Sequence, residues 1–415
     1  MSDHFLSKPL LLKRLFPKHQ FSKREKSKAS RSHGAPIYFF LAFIAMSGLS
    51  YINFLPSVVN ALAGEIGYSD VEAGQIVALN GYGGLLGSSI AIMLVRRISW
   101  RFSMFVFLAV LAVIDVSTVW VEGYHLMLGW RFLGGLFGGL SLGVAFSVLA
   151  RLDSPDRAFG TLLFVQFSVG SLVIYALPEL EKILSTHAVF YLMTSFALIS
   201  MILLLSLPAI SLNSAPVQLR MKLSAKRRNV LLLLTAIISY QIAASAIWVY
   251  VGLIGQAASI SAEEVSFYIA VTGLLGLLGA MLPAFSGNRF GRLNWVAAGV
   301  TLSMISAVLL NYSDSVVLYI TAMSLLFFSW PAVQSYLLAV TADMDSSGQL
   351  STIAAVVSSI GLATGPLLAS SLLNNGSFSV MLYTCVATFL LSFVCLYNPL
   401  RTTERTRPAT LSSQP

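Results

Sequence analysis

The chain has 415 residues, 56% of them hydrophobic and 10% charged; an ordinary soluble chain is about 25% charged. A water-soluble fold needs a polar skin, so this composition, with its mean hydropathy of +0.80, excludes a soluble enzyme, a disordered chain and a disulfide scaffold. It leaves an integral membrane protein.

The first 35 residues are basic and lack a small-residue cleavage site after a short apolar core, so they do not read as a signal peptide. Within them, Phe5 to Phe16 mixes Leu and Phe with Lys8, Lys13 and Arg14. That pattern suits either a helix lying on anionic lipid or a plain tail. Twelve apolar runs follow, at 36–61, 71–95, 103–121, 126–150, 159–178, 187–208, 229–254, 264–286, 294–311, 316–341, 350–373 and 378–398. A helical span needs ~20 such residues, whereas barrel strands are about 10 residues long and alternate. The expected fold is all-α, with twelve transmembrane helices.

The net charge of +9 could suggest nucleic acid, but the positions of the charges argue against it. With the N-terminus in the cytoplasm, 24 of the 26 Lys/Arg fall inside, in the tails and in alternate loops. Outside stands only Lys182, among the acids Glu65, Asp70, Glu122, Glu179, Glu181, Glu263, Glu264 and Asp314. The positive-inside rule then places both termini in the cytoplasm, in a plasma membrane of the bacterial inner type.

The chain also repeats itself at an offset of 192 residues. Gly84-Leu85-Leu86-Gly87 returns as Gly276-Leu277-Leu278-Gly279, and Ser69-Asp70-Val71-Glu72 returns as Ser261-Ala262-Glu263-Glu264. The second pair has the S-x-x-E form of a helix capping box. Arg97 maps to Arg289, and Asp153-Ser154 to Asp345-Ser346. The chain is therefore expected to form two six-helix pseudo-symmetric halves, 36–208 and 229–400. A basic linker, 209–228, joins them, and tails occupy 1–35 and 401–415. Parallel halves of this kind are one transporter design.

Three fragments resemble motifs of the major facilitator superfamily of secondary transporters. Gly287-Asn288-Arg289-Phe290-Gly291-Arg292 resembles that family's inner loop, G-x-x-x-D-R-x-G-R, with Asn288 at the acidic position. Arg131-Phe132-Leu133-Gly134-Gly135-Leu136-Phe137-Gly138-Gly139 is similar to its fourth-span R-x-x-x-G-x-x-x-G, with Gly135 and Gly139 at the glycine positions. Gly361-Leu362-Ala363-Thr364-Gly365-Pro366 is similar to the G-x-x-x-G-P helix breaker that exporters carry in the fifth span; here it stands in the eleventh. The resemblance implies roles in gating or helix packing for Gly135, Gly139, Arg97, Arg289, Gly291, Arg292, Gly365 and Pro366. It also implies that the first, fourth, seventh and tenth spans line the solute path. Those spans carry Tyr51, Asn53, Arg131, Tyr240, Gln241, Trp248, Trp330 and Gln334, and the fifth adds Gln166. Unpartnered amides are costly in lipid, so these residues are expected to face inward and contact the solute; interhelical bonding is the plainer reading.

Arg131 and Asp115 are the charges at membrane depth. Each lies about six residues from the same end of neighbouring spans, so they are expected to meet. Arg131 is then the candidate anchor for a small organic anion and Asp115 the candidate carrier of a coupled proton. The five histidines show no ligand spacing, and Cys385 and Cys395 fall in one late apolar run. Walker A, H-E-x-x-H and G-x-S-x-G patterns do not occur. The expectation is no enzyme, no cofactor and no metal. The expected function is secondary transport of a small organic solute by a monomer in the lipid bilayer, with protons as the candidate coupling ion. A proton-linked multidrug exporter and a non-transporting receptor or scaffold remain the alternatives.

Overall fold

The computed structural model describes residues 35–64, 66–95, 99–208, 226–286, 291–313, 315–345, 349–373 and 377–406. Among these residues, twelve helices are long and apolar enough to cross a membrane, and no strand forms. The first span is Ala35–Asn53 continued by Leu55–Ala63. The second to seventh are Asp70–Leu94, Trp100–Ser117, Tyr124–Leu149, Pro155–Leu184, Ala188–Ser206 and Arg227–Ala257. The eighth is Ala262–Gly273 continued by Leu275–Ser286. Arg292–Leu310, Val316–Met344, Gln349–Leu372 and Ser379–Thr406 complete the set.

Each apolar run has its helix, but polar residues extend several of them. The fifth helix starts four residues before its run, with Pro155 in the first turn, Asp156 beside it and Lys182 in the last turn. Those residue types suit the two helix ends, so the helix continues past the apolar segment. The first span breaks at Phe54 because Pro56 has no N–H for the carbonyl of Ile52, and its ring crowds that carbonyl. By contrast, the eleventh helix runs unbroken through Pro366, and the tenth through Pro331.

The repeat is visible in the packing. Both capping boxes form: Ser69 accepts from the Glu72 amide, and Ser261 from the Glu264 amide, at 3.3 Å each. A Cβ on Gly87 would meet the carbonyl oxygen of Leu136 at 2.0 Å, and one on Gly279 that of Phe328 at 2.1 Å. Residues 136 and 328 are themselves 192 apart. Second on fourth, third on fourth, third on sixth, first on fifth and first on sixth are packed pairs. Each has its counterpart six spans later. Among the described residues, the extensive pairings that join the halves are second with eleventh, fifth with eighth, and first with seventh.

This junction lies toward the end of the bundle remote from the tails. There Tyr250 Oη donates to the carbonyl of Asp70 at 2.8 Å, and Lys182 Nζ bridges to Glu263 at 3.1 Å. One apolar cluster runs through both halves at this end. At the tail end the first half keeps a separate cluster of its own, including Tyr38, Leu108, Val148 and Ala158. The fourth and tenth spans make no extended contact among the described residues. Among the described residues, the halves are thus joined at the far end and parted toward the tails.

Candidate solute site

Gly123, at φ 87°, turns the chain between the third and fourth spans, a conformation glycine adopts without steric cost. The hairpin brings Asp115, near the end of the third span, level with Arg131, two turns into the fourth. Arg131 Nη1 and Nη2 both donate to Asp115 Oδ1, at 3.0 and 3.1 Å. Nη1 also donates to Thr118 Oγ1 at 2.9 Å. The two side chains are 1% and 2% exposed. The ring of Tyr51 lies 4.5 Å from Arg131 Cζ, and that of Phe190 lies 5.3 Å away. Ring faces stabilise a desolvated cation. Asn80 on the second span donates to the backbone carbonyl of Arg131 at 2.8 Å and fixes the helix beneath it. Arg131 Nε has no hydrogen-bond partner among the described residues.

The pair faces a cavity of about 110 Å³ between the halves. Tyr51, Asn80, Asp115 and Arg131 line it from the first half, and Ser245, Trp248 and Pro366 from the second. Trp248 Nε1 donates at 3.1 Å to the Ile52 carbonyl, the one Pro56 leaves without its helical partner. Its ring packs edge-on against Phe327, with centroids 5.2 Å apart.

One turn nearer the tails, a polar cluster belongs wholly to the second half. Trp330 Nε1 donates to Gln241 Oε1 at 2.7 Å. Gln241 Nε2 donates to Ser358 Oγ at 2.7 Å and to Gln334 Oε1 at 3.3 Å. Gln241, Gln334 and Ser358 border a notch of about 10 Å³, room for a single oxygen atom or water.

Arg131, Asp115 and Trp248 thus meet at the cavity, and Gln241, Trp330 and Gln334 meet at the cluster beside it. Three predicted contacts are placed otherwise. Tyr240 is 1% exposed, shares a hydrogen bond with Ser303 at 2.8 Å and packs on Phe389. Successive helical residues point about 100° apart, so Gln241 turns to Trp330 and Ser358 while Tyr240 packs on Ser303 and Phe389; both border the notch and neither lines the main cavity. Asn53 is buried beside the break in the first span and lines neither space. Gln166 is half-buried on the fifth span and also lines neither.

The glycine motifs act in packing. A Cβ on Gly135 would meet the Asn80 carbonyl oxygen at 1.9 Å, and one on Gly139 that of Gly84 at 2.1 Å. Gly365 lies equally close to Ser245 Oγ, so its motif seats the eleventh span on the seventh rather than breaking a helix. Gly291 has φ 79° and starts the ninth span. Arg292 pairs with Asp343 of the tenth span at 2.5 Å, not with an acid of its own loop. Arg97 and Arg289 lie outside the described residues. Thr118, Phe190, Asn80 and Ser358 were not singled out in the sequence. Asn80 is as conspicuous in an apolar span as the chosen glutamines, whereas Phe190 carries no local signal.

Two packed six-span halves around a largely apolar cavity that holds a buried ion pair define a secondary transporter of solutes. The chain belongs to the major facilitator superfamily, whose family model matches residues 38–344 and 232–415. No curated protein matches its sequence. Solved structures share the fold. A variant of a peptide transporter POT has TM-score 0.73 at 11% identity, covering 93% of this chain and 99% of that one. A variant of the nucleoside transporter NupG has TM-score 0.70 at 12% identity, covering 87% and 98%. A D-xylose–proton symporter has TM-score 0.67 at 13% identity, covering 90% and 98%.

Proposed function

We propose that this transporter carries a small organic anion together with a proton, by rocking of the halves 36–208 and 229–400 about the central cavity. The buried Asp115–Arg131 pair facing that cavity carries the reading. A planar guanidinium binds a carboxylate bidentately, and its free Nε offers one edge for doing so. A solute carboxylate that takes the guanidinium leaves Asp115 as a lone buried charge. Protonating Asp115 removes that cost. Anion and proton then cross together, and the site returns to its ion pair when both leave. With the termini in the cytoplasm of a bacterial inner membrane, the parting at the tail end makes this the inward-facing state. The positive-inside charge count supports that orientation, and a monomer suffices for the cycle.

Reconstitution in liposomes with a panel of organic acids tests the proposal. Monoanion flux should follow an imposed pH gradient and ignore a potassium-diffusion potential, because anion plus proton is electroneutral. Arg131→Ala should abolish it, and Arg131→Lys should weaken it while preserving expression. Asp115→Asn should keep solute exchange and lose pH-driven accumulation. Undiminished anion flux in a well-expressed Arg131→Ala protein would refute the assignment. Preference for lipophilic cations would favour the exporter, which the largely apolar cavity and Trp248 would also suit. Ligand binding without flux would favour a receptor.

A further inference from the structure

We infer that the solute is a monocarboxylate with a small hydrocarbon body, and that the site turns dicarboxylates away. The inference deepens the anion-transport reading and rests on it for the one carboxylate that meets Arg131. It follows from what the rest of the cavity is made of. Among the described residues that line it, Asp115 and Arg131 are the only charged side chains. Beyond them the walls are Ile52, Leu85, Leu111, Leu142, Leu362 and the ring of Trp248, set among glycines. Hydrocarbon moved from water against such walls gains affinity with every CH2 group. A cavity of about 150 Å³ admits benzene, so this one, at about 110 Å³, holds roughly four or five carbons on the same scale.

The polar groups along these walls are mostly committed to backbone. Ser50, Ser88 and Ser359 donate to carbonyls three or four residues back in their own helices, at 2.9, 2.7 and 3.0 Å. Asn80 and Trp248 donate to the carbonyls of Arg131 and Ile52. Ser245 has contacts of 3.4 Å, and Tyr51 Oη has no partner among the described residues. Lone pairs on these oxygens accept from a solute, but neutral hydroxyls do not offset a second buried negative charge. The second carboxylate of a short diacid would stand uncompensated in the cavity. A body longer than the cavity runs out toward the tails, where the halves part and each further CH2 group stays in water.

Straight-chain acids from acetate to nonanoate test this, beside the matching primary alcohols and the diacids succinate and glutarate. Binding to the full chain in lipid nanodiscs is read by calorimetry, with empty discs subtracted. Affinity should rise about threefold to fourfold per CH2 group and level off once the body exceeds roughly five carbons. Pentanoate should bind at least about tenfold tighter than glutarate, which has the same number of carbons and one more charge. Leu362→Ala widens the cavity and should move the levelling-off to longer acids. Ser359→Leu fills it and should move the levelling-off to shorter ones. Opposite shifts are not a result of damage, and propionate binding in both variants shows that they are folded. A flat series that still depends on Arg131, glutarate binding as tightly as pentanoate, or a levelling-off unmoved in both variants would overturn the inference and leave the anion reading standing. A steep series in which alcohols bind as tightly as acids would uphold the hydrocarbon body and sink the anion reading. No binding of any probe would overturn both.

Discussion

Arg131 is held by one carboxylate oxygen, one hydroxyl and two ring faces, with no bulk water to replace any of them. Removing either charge strands the other. Arg131→Met or Asp115→Leu alone should each cost about 3–5 kcal/mol, whereas the double variant should recover most of it. Thermal unfolding in detergent, as a double-mutant cycle, checks this; strictly additive losses would count against the pair. Equal depth on neighbouring spans was enough to foresee this contact from the sequence. The facing of single amides was not legible. Gln241, Gln334 and Gln166 look alike in an apolar run, and among the described residues only the first two meet a side-chain partner. Periodicity says little where a span is buried on several sides, as the seventh is, so Tyr240 and Gln241 could not be told apart. Tertiary partners such as Phe190, one apolar residue among many in its span, leave no mark in local sequence.

At the level of helices, close backbone approach is shared between the two halves while the site is not. Gly87 and Gly279 hold equivalent contacts with the fourth and tenth spans. The positions matching Asp115 and Arg131 are Ala307 and Met323. Gly87→Val and Gly279→Val should therefore both lower the yield of monodisperse protein, through the same collision with a carbonyl. Gly160→Ala, where nothing lies within 4 Å of the added carbon, should leave the yield unchanged; equal losses for all three would contradict the packing argument. The capping boxes are legible in the sequence because their chemistry is local. Ser69→Ala and Ser261→Ala should each cost about 1 kcal/mol of stability. Helix ends were less legible than helix centres. The fifth helix outruns its apolar segment at both ends, since hydrogen bonding within the helix does not stop at the bilayer surface.

For the whole molecule, the described residues of the two halves touch at one end and part at the other, and Lys182 at the far end bridges them. Lys182 joins Glu179 of its own helix to Glu263 across the junction. Both partners are half exposed, so the bridge adds little stability; its value is as a ruler. Cysteines placed at 182 and 263 should be joined in this state by a reducible bifunctional thiol reagent about as long as the two side chains they replace. The link should arrest the cycle until reductant is added, and continued flux in the linked protein would contradict a rocking motion. Reporters fused after Leu10 and at Ser412 should read cytoplasmic, and one between Gly64 and Ser69 external. The overall plan was the most legible level of all, because span count, charge asymmetry and the repeat are each written over hundreds of residues. Which end stands closed was not, since it depends on contacts between distant spans.

The break at Phe54 bears on how the chain is made. Ala35–Asn53 alone is 19 residues, enough for the translocon to release it into lipid. The short piece beyond the break, Leu55–Ala63, then has no bilayer need to hold it upright. It packs on the second and sixth spans, but its most extensive contact is with the seventh, synthesised more than 160 residues later. During biosynthesis this piece must wait, only partly packed on the first half, until the seventh span emerges. A ribosome-stalled chain ending at Leu207 should therefore expose Leu55–Ala63 to protease, and one extended past Ala257 should protect it. The first helix of the protein would then be among the last to finish folding.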